Sequence, residues 1–196
     1  MTGERVGGAV TWGLLGAWVV HDLEELATVP GWLRRNVPEL RKRFPQVPEG
    51  VWRRAETMGA AEFATAVGVM GAVVGTAAAA GRLTGGRSGV YQSALTGFGL
   101  HGVMHMAQAA AVRGYTPGSV TSPLVVLPFT LWARGRLRKA GVLRPARPRD
   151  AVAGPAAAAA AATVASHVVA RRLLGRGDGG GGRHAARHDG SARRPS

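Results

Sequence analysis

The 196-residue chain has no cysteine and few acidic residues. The absence of cysteine excludes a disulfide framework and any metal site built on thiolates. Aspartate and glutamate together number 11, against 25 lysines and arginines, which gives a formal net charge of +14. Aromatic residues make up only 6% of the chain, and none of the basic segments interleaves them as nucleic-acid binders do. We therefore expect no nucleic-acid partner despite the basic charge.

Long apolar runs separated by basic segments dominate the rest of the sequence. Charged residues account for 18% of the chain and cluster beside the apolar runs. A soluble domain mixes polar and apolar residues at the period of a helix or a strand, whereas segregation into blocks is typical of membrane proteins. Mean hydropathy is only +0.04, because the basic segments dilute the apolar runs. The pattern predicts an all-α, polytopic transmembrane bundle of about five helices.

Five apolar runs are candidates for membrane-crossing helices: residues 6–29, 59–81, 90–112, 119–133 and 151–170. A helix of about 20 residues crosses a hydrocarbon layer of about 30 Å. The fourth run is short and contains Pro123 and Pro128, which predicts either a kinked or a re-entrant helix. The fifth run is mostly alanine, a good helix former that is weakly hydrophobic.

The first run is predicted to be a retained helix, because it continues into charged residues instead of a signal-peptide cleavage site. Pro30 and Gly31 are predicted to end it, and residues 33–56 to form a basic loop with a short interfacial segment. The chain then divides into a transmembrane helical domain, residues 1–172, and a tail, residues 173–196. The glycine, arginine and histidine composition of the tail predicts disorder.

The distribution of basic residues predicts an orientation in the cell membrane. If all five runs cross, the loop, the turn at Arg113 and the tail share the more basic side. The positive-inside rule then places the N-terminus outside the cell and the C-terminus in the cytoplasm. A re-entrant fourth run would put both strongly basic loops on one side, and this alternative stays open.

Polar residues within the apolar runs are the candidates for a functional site. His21, Glu24 and Glu25 are three and four residues apart and so share one helix face, whereas Asp22 points elsewhere. An ionised carboxylate at such depth costs about 2.5–3.5 kcal/mol or more. These groups therefore need partners, unless this end of the helix lies among solvated headgroups.

Further polar residues lie in the second and third runs. His101 and His105 are four residues apart, so they also share a face, and Glu62 opens the second run. Alternating crossings place these residues in the same half of the membrane as His21. Two alternatives stay open: the histidines form only interhelical hydrogen bonds, or Glu62 pairs with a loop arginine such as Arg53 or Arg54.

The residue types suit a metal site. Histidine nitrogen combined with glutamate oxygen suits zinc, iron or manganese. The predicted ligands are His21, Glu24, Glu25, Glu62, His101 and His105. Carboxylate-bridged bundles likewise take a glutamate and a histidine three residues apart from one helix. Glu24 or Glu25, whichever does not bind the metal, is the predicted general base.

The stretch His21-Asp22-Leu23-Glu24-Glu25 resembles the motif that names the HXXEE-domain membrane proteins. The resemblance extends through the histidine pair at 101–105 and the Tyr-Thr-Pro-Gly turn that follows, and it covers about residues 8–135. It implies a membrane-embedded helical fold and a site that includes His21, Glu24, Glu25 and His105. It implies no reaction.

Three functions are compatible with these features. The first is a metal-dependent enzyme acting on a lipid-soluble substrate that enters from the bilayer. The second is a proton-coupled transporter or channel subunit, since intramembrane glutamate and histidine also form proton relays. The third is a non-catalytic scaffold whose basic segments bind partners or anionic lipid.

Overall fold

The computed structural model describes residues 6–145 together with residues 163, 167, 168 and 170–172. Between residues 6 and 145 the chain forms α1 (Gly8–Arg43), α2 (Glu49–Glu56), α3 (Ala60–Leu83), α4 (Gly89–Val112), a π-helical turn (Ser122–Val126) and α5 (Leu127–Lys139). The described residues contain no strand, so the all-α prediction is confirmed. Most of the predicted fifth run and the whole predicted tail lie outside the described residues.

The first helix is longer than its apolar run. It continues through Pro30 and Pro38 to Arg43, so the prediction that Pro30 and Gly31 end it is wrong. The predicted basic loop at 33–56 is wrong for the same reason, because its first part belongs to α1 and most of its second part is α2.

Contacts with the connection between α4 and α5 stabilise this second half of α1. The Trp32 indole donates to the Tyr115 carbonyl at 3.0 Å, and the Arg43 guanidinium donates to the carbonyls of Val112 and Ala111 at 2.7 and 2.9 Å. Both carbonyls lie in the last turn of α4, where they lack intrahelical donors. These bonds act against the cost of about 3 kcal/mol that each of the two prolines carries inside a helix.

The second and third runs form helices with nearly the predicted bounds. α3 corresponds to the predicted run 59–81, and α4 corresponds to the predicted run 90–112. Among the described residues, α3 is the one helix that is long and apolar enough to cross a membrane. The acidic residues of α1 and the histidines of α4 make those two helices more polar than α3.

The fourth run is a distorted helix. The π-helical turn, with Pro123 near its start, leads directly into α5, so the regular helical pattern is interrupted beside the prolines. Beyond α5, the Val142 carbonyl accepts a hydrogen bond at 2.8 Å from Gln92 near the start of α4. α5 therefore runs antiparallel to α4 along the bundle.

Small residues bring α4 and α5 close together. A Cβ atom on Gly99 would lie 2.7 Å from the Thr130 side chain, and one on Gly102 would lie 2.8 Å from the Val126 side chain. Such close approach through glycine is typical of helices that pack in lipid. This close packing places the connection between α4 and α5 beside the histidines of α4.

Candidate metal centre

Three histidines and one glutamate converge where α1 and α4 meet the connection to α5. Potential ligand atoms of His21, Glu25, His101 and His105 all lie within 4.8 Å of one another. α1 contributes His21 and Glu25, and α4 contributes His101 and His105. Each pair is four residues apart and so occupies one face of its helix. The structure thus brings together four of the predicted ligands.

The spacing of these side chains fits a metal ion. The ring centroids of His101 and His105 are 4.3 Å apart, and that of His21 lies 5.1 and 5.0 Å from them. His105 Nε2 is 2.8 Å from His101 Nε2 and 3.3 Å from Glu25 Oε1. Nitrogen ligands of a tetrahedral zinc ion lie about 2.0–2.1 Å from the metal, which puts neighbouring ligand atoms about 3.3 Å apart.

The group is buried on one side and open on the other. His21 and His105 are buried, Glu25 is half-buried and His101 is exposed. His21 Nε2 is buried and has no hydrogen-bond partner among the described residues. Leaving a buried polar atom unpaired costs about 1–3 kcal/mol, and coordination of a cation would use its lone pair.

Glu24 points away from this group into the connection that precedes the π-helical turn. Its Oε1 accepts hydrogen bonds from the Tyr115 hydroxyl at 3.0 Å and from the amides of Gly118 and Val120 at 3.1 and 3.3 Å. Its Oε2 accepts from the amide and hydroxyl of Thr121 at 2.8 and 2.7 Å. Burial raises the pKa of the Tyr115 phenol, so Tyr115 remains a donor at neutral pH. The Glu24 carboxylate is thus fully engaged by donors.

The same connection contacts two of the histidines. Thr121 Oγ1 lies 2.7 Å from His21 Nδ1. Gly118 has a φ of +80°, and a Cβ atom there would lie 2.7 Å from Cε1 and Nδ1 of His105. Glycine is required at 118 both by its left-handed backbone and by this contact. The turn therefore orients His21 and His105 as well as binding Glu24.

Glu62 is not part of the group. Its carboxylate forms an ion pair with Arg54 at 2.5 Å and lies 3.4 Å from His167 Nδ1. This environment matches the alternative that Glu62 pairs with an arginine of the segment preceding α3. Asp22 is buried on α1 but also lies outside the four, as its spacing predicts.

Thr121 and Tyr115 are functional candidates that charge and helical spacing do not reveal. Neither residue is ionised at neutral pH; Tyr115 lies between the third and fourth apolar runs, and Thr121 lies near the start of the fourth. Their signal is the family resemblance, which extends from the histidine pair through the Tyr-Thr-Pro-Gly turn to this segment.

Comparison with known proteins assigns the chain to a family. No curated protein and no solved structure matches it. Residues 12–133 match the family described as "protein of unknown function with HXXEE motif". The matched range covers more than half of the chain and includes the four converging residues and the turn that binds Glu24. The chain therefore belongs to this HXXEE family.

Proposed function

We propose that this protein is a multi-pass membrane protein that binds a metal ion at His21, Glu25, His101 and His105 and acts on a lipid-soluble substrate. The observation that carries the proposal is the approach of four potential ligand atoms to within 4.8 Å. The buried Nε2 of His21 supports it, because this nitrogen has no hydrogen-bond partner among the described residues. Zinc, iron and manganese suit a set of three nitrogen donors and one oxygen donor.

The outer surface of the bundle supports several membrane crossings. Large apolar side chains on α1, α4 and the fourth run face outward; Leu23, Met104 and Leu124 are 58%, 60% and 70% exposed. Soluble proteins rarely expose extended apolar patches, whereas a helix in lipid presents such side chains to the hydrocarbon. The buried members of the polar cluster, His21 and His105, lie on the inner side of the same helices. We propose that α1, α3, α4 and the fourth run all cross.

The distribution of charge supports an orientation for this bundle. Basic residues lie in the second half of α1 and in the last turn of α2. Arg43 of α1 also contacts the carbonyl end of α4. We place these elements at the cytoplasmic surface and the N-terminus outside, in accordance with the positive-inside rule. The metal centre then lies in the cytoplasmic half of the membrane, within a transmembrane domain at residues 1–172.

Access to the site supports a lipid-soluble substrate. His101 is the exposed member of the group, and its neighbours Leu100, Val103 and Met104 are also exposed. If α4 crosses the membrane, this opening faces the acyl chains, so an apolar substrate can reach His101 without entering water. The metal would supply Lewis acidity at the inner end of the opening. Glu25, 3.3 Å from His105, is the carboxylate available as a ligand or as a proton acceptor.

Metal analysis of protein purified in mild detergent tests the proposal. Wild-type protein is expected to retain a stoichiometric amount of zinc, iron or manganese, and His105→Ala to lose it. His101→Ala provides a second variant at an exposed position, where folding is less at risk. His167→Ala is the matched control, because His167 lies beside Glu62 and outside the group. If wild type and His105→Ala are equally metal-free at neutral pH, the proposed function is wrong.

Proton transport is the second candidate function. The side chain of His105 lies within hydrogen-bonding distance of His101 and within ion-pairing distance of Glu25, so the three form a continuous row. Such rows of imidazole and carboxylate groups conduct protons in pumps and transporters. Proton uptake into proteoliposomes that disappears in Glu25→Gln, together with a metal-free wild type, would favour transport over metal-dependent catalysis.

A further inference from the structure

Glu24 and Thr121 form a hydrogen-bonded path that ends on His21. Among the described residues, the hydrogen-bond partners of the Glu24 carboxylate are all donors: the Tyr115 hydroxyl, the amides of Gly118, Val120 and Thr121, and the Thr121 hydroxyl. An ionised carboxylate is an acceptor only, so this set of donors suits the ionised form. Backbone amides of successive residues in a turn form a favourable concave site for an anion.

The Thr121 hydroxyl has a single proton to share between two neighbours. Its Oγ1 lies 2.7 Å from Glu24 Oε2 and 2.7 Å from His21 Nδ1. Because the ionised Glu24 can only accept, the hydroxyl proton belongs to that bond. The Thr121 oxygen then faces His21 as an acceptor, and His21 Nδ1 must carry a hydrogen and donate it.

The tautomer of His21 follows from this order of donors. A neutral imidazole has one N–H group, so a hydrogen on Nδ1 leaves the lone pair on Nε2. His21 Nε2 is the buried nitrogen that has no hydrogen-bond partner among the described residues. The His21 ring lies about edge-on to the rings of His101 and His105.

We infer that Glu24 and Thr121 are positioning residues that hold His21 with its Nε2 lone pair directed to the metal centre. The inference rests on the proposed metal site for its functional meaning, whereas the tautomer itself does not depend on it. Histidine ligands of metals commonly donate their second nitrogen to such a partner, which fixes the ring and increases its basicity as a ligand. The two adjacent glutamates of the motif thereby take different roles: Glu25 belongs to the centre, and Glu24 acts through Thr121.

The same geometry removes Glu24 from the candidates for general base. Both of its oxygens already accept hydrogen bonds from the turn, and the path to the centre passes through Thr121 and His21. Glu25 is then the glutamate of the pair that can touch a metal, a substrate or a transferred proton.

Metal affinity in Thr121 variants tests the positioning role. Thr121→Val keeps the shape of the side chain but removes the hydroxyl, and loss of such an outer partner lowers metal affinity by about 10- to 100-fold. Thr121→Ser restores the hydroxyl and is expected to bind Zn²⁺ and Co²⁺ like the wild type in chelator competition. Thr130→Val is the matched control, because Thr130 is a buried threonine on α5 outside the path. Equal affinities for Thr121→Val and wild type would overturn the positioning role.

Nitrogen NMR of metal-free protein labelled with ¹⁵N-histidine tests the tautomer directly. His21 is assigned by comparison with His21→Gln, and we expect the hydrogen on Nδ1 in wild type and in Thr121→Ser. Thr121→Val is expected to shift the signals toward the other tautomer. A wild-type His21 protonated on Nε2 would overturn the inference even if the protein binds metal. A wild type that shows the expected tautomer but binds no metal supports the hydrogen-bonded path and refutes the proposed function.

Discussion

His21 links the two halves of the site, since it touches both the histidines of α4 and the turn that binds Glu24. Helical spacing and alternating crossings predict it as a site residue together with Glu25, His101 and His105, and the family resemblance supports His21, Glu25 and His105. Spacing fixes which side chains share a face of one helix, and the alternation of crossings fixes their depth. Neither determines which neighbouring helix a given face packs against. For this reason the sequence predicts Glu62 as a ligand although it does not face the histidines.

Substitution of Glu62 tests whether a residue at the predicted membrane depth also faces the histidine group. Glu62→Gln is expected to leave metal affinity unchanged, because Glu62 contacts Arg54 and His167 instead of the histidine group. The matched comparison is Glu25→Gln, which removes a carboxylate 3.3 Å from His105 and is expected to weaken metal binding. Titration of the purified variants with Zn²⁺ measures both. Equal loss of metal affinity in the two variants would show that Glu62 belongs to the metal centre.

The glycine at 118 is the residue least able to accept a side chain. Gly118→Ala introduces a Cβ atom 2.7 Å from the His105 ring and places alanine at a φ of +80°. We expect it to destabilise the protein by about 1–3 kcal/mol and to weaken metal binding by displacing His105. Unfolding in a denaturing detergent measures the first effect, and Zn²⁺ titration the second.

Gly114→Ala is the control for this substitution. Gly114 lies in the same connection, but a Cβ atom there would have no neighbour within 4 Å. It should leave stability and metal affinity near those of the wild type. A Gly118→Ala protein as stable as Gly114→Ala would show that the contact with His105 is looser than described.

At the scale of the element, α3 and α4 were predictable and the second half of α1 was not. Apolar runs bounded by glycine and basic residues define α3 and α4 locally. Pro30 and Pro38 are local signals for the end of a helix, but bonds from Trp32 and Arg43 to the end of α4 lie beyond any local rule. Tertiary contacts thus overrode the sequence signal.

Removal of the Arg43 side-chain bonds should loosen this part of α1. Arg43→Gln loses the donors to the Val112 and Ala111 carbonyls, and we expect a loss of stability of about 1 kcal/mol. Faster hydrogen exchange over residues 33–43 and in the last turn of α4 is the more specific measurement. Arg34→Gln, at an exposed position of the same helix, is the control. Identical exchange in both variants would mean that Arg43 does not stabilise the end of α4.

At the scale of the whole molecule, segregation of charge from apolar runs predicts the helical fold well and the number of crossings less directly. Within the described part of the chain, α3 is the one helix that meets a criterion of length and apolarity, because polar residues of the candidate site lie on α1 and α4. The candidate site residues therefore weaken the same hydropathy signal by which a membrane-crossing helix is recognised. Support for the other crossings comes from the exposed apolar side chains, which only the structure displays.

The absence of cysteine makes the proposed topology directly measurable. A single cysteine at Leu83, an exposed residue at the end of α3, should react with a membrane-impermeant maleimide in intact cells. A cysteine at the exposed Lys42 near the end of α1 should react only after lysis. The opposite pattern would invert the orientation, and labelling of both sites in intact cells would show that α3 does not cross.

The proposed metal centre holds one ion between His21, Glu25, His101 and His105. X-ray absorption at the metal edge, recorded on protein purified from membranes in mild detergent, tests it most directly. We expect a stoichiometric metal with nitrogen and oxygen neighbours at about 2.0–2.2 Å and the outer scattering of several imidazoles, which decreases in His101→Gln. A wild-type protein that binds no metal, or a metal with no imidazole neighbours, would contradict it.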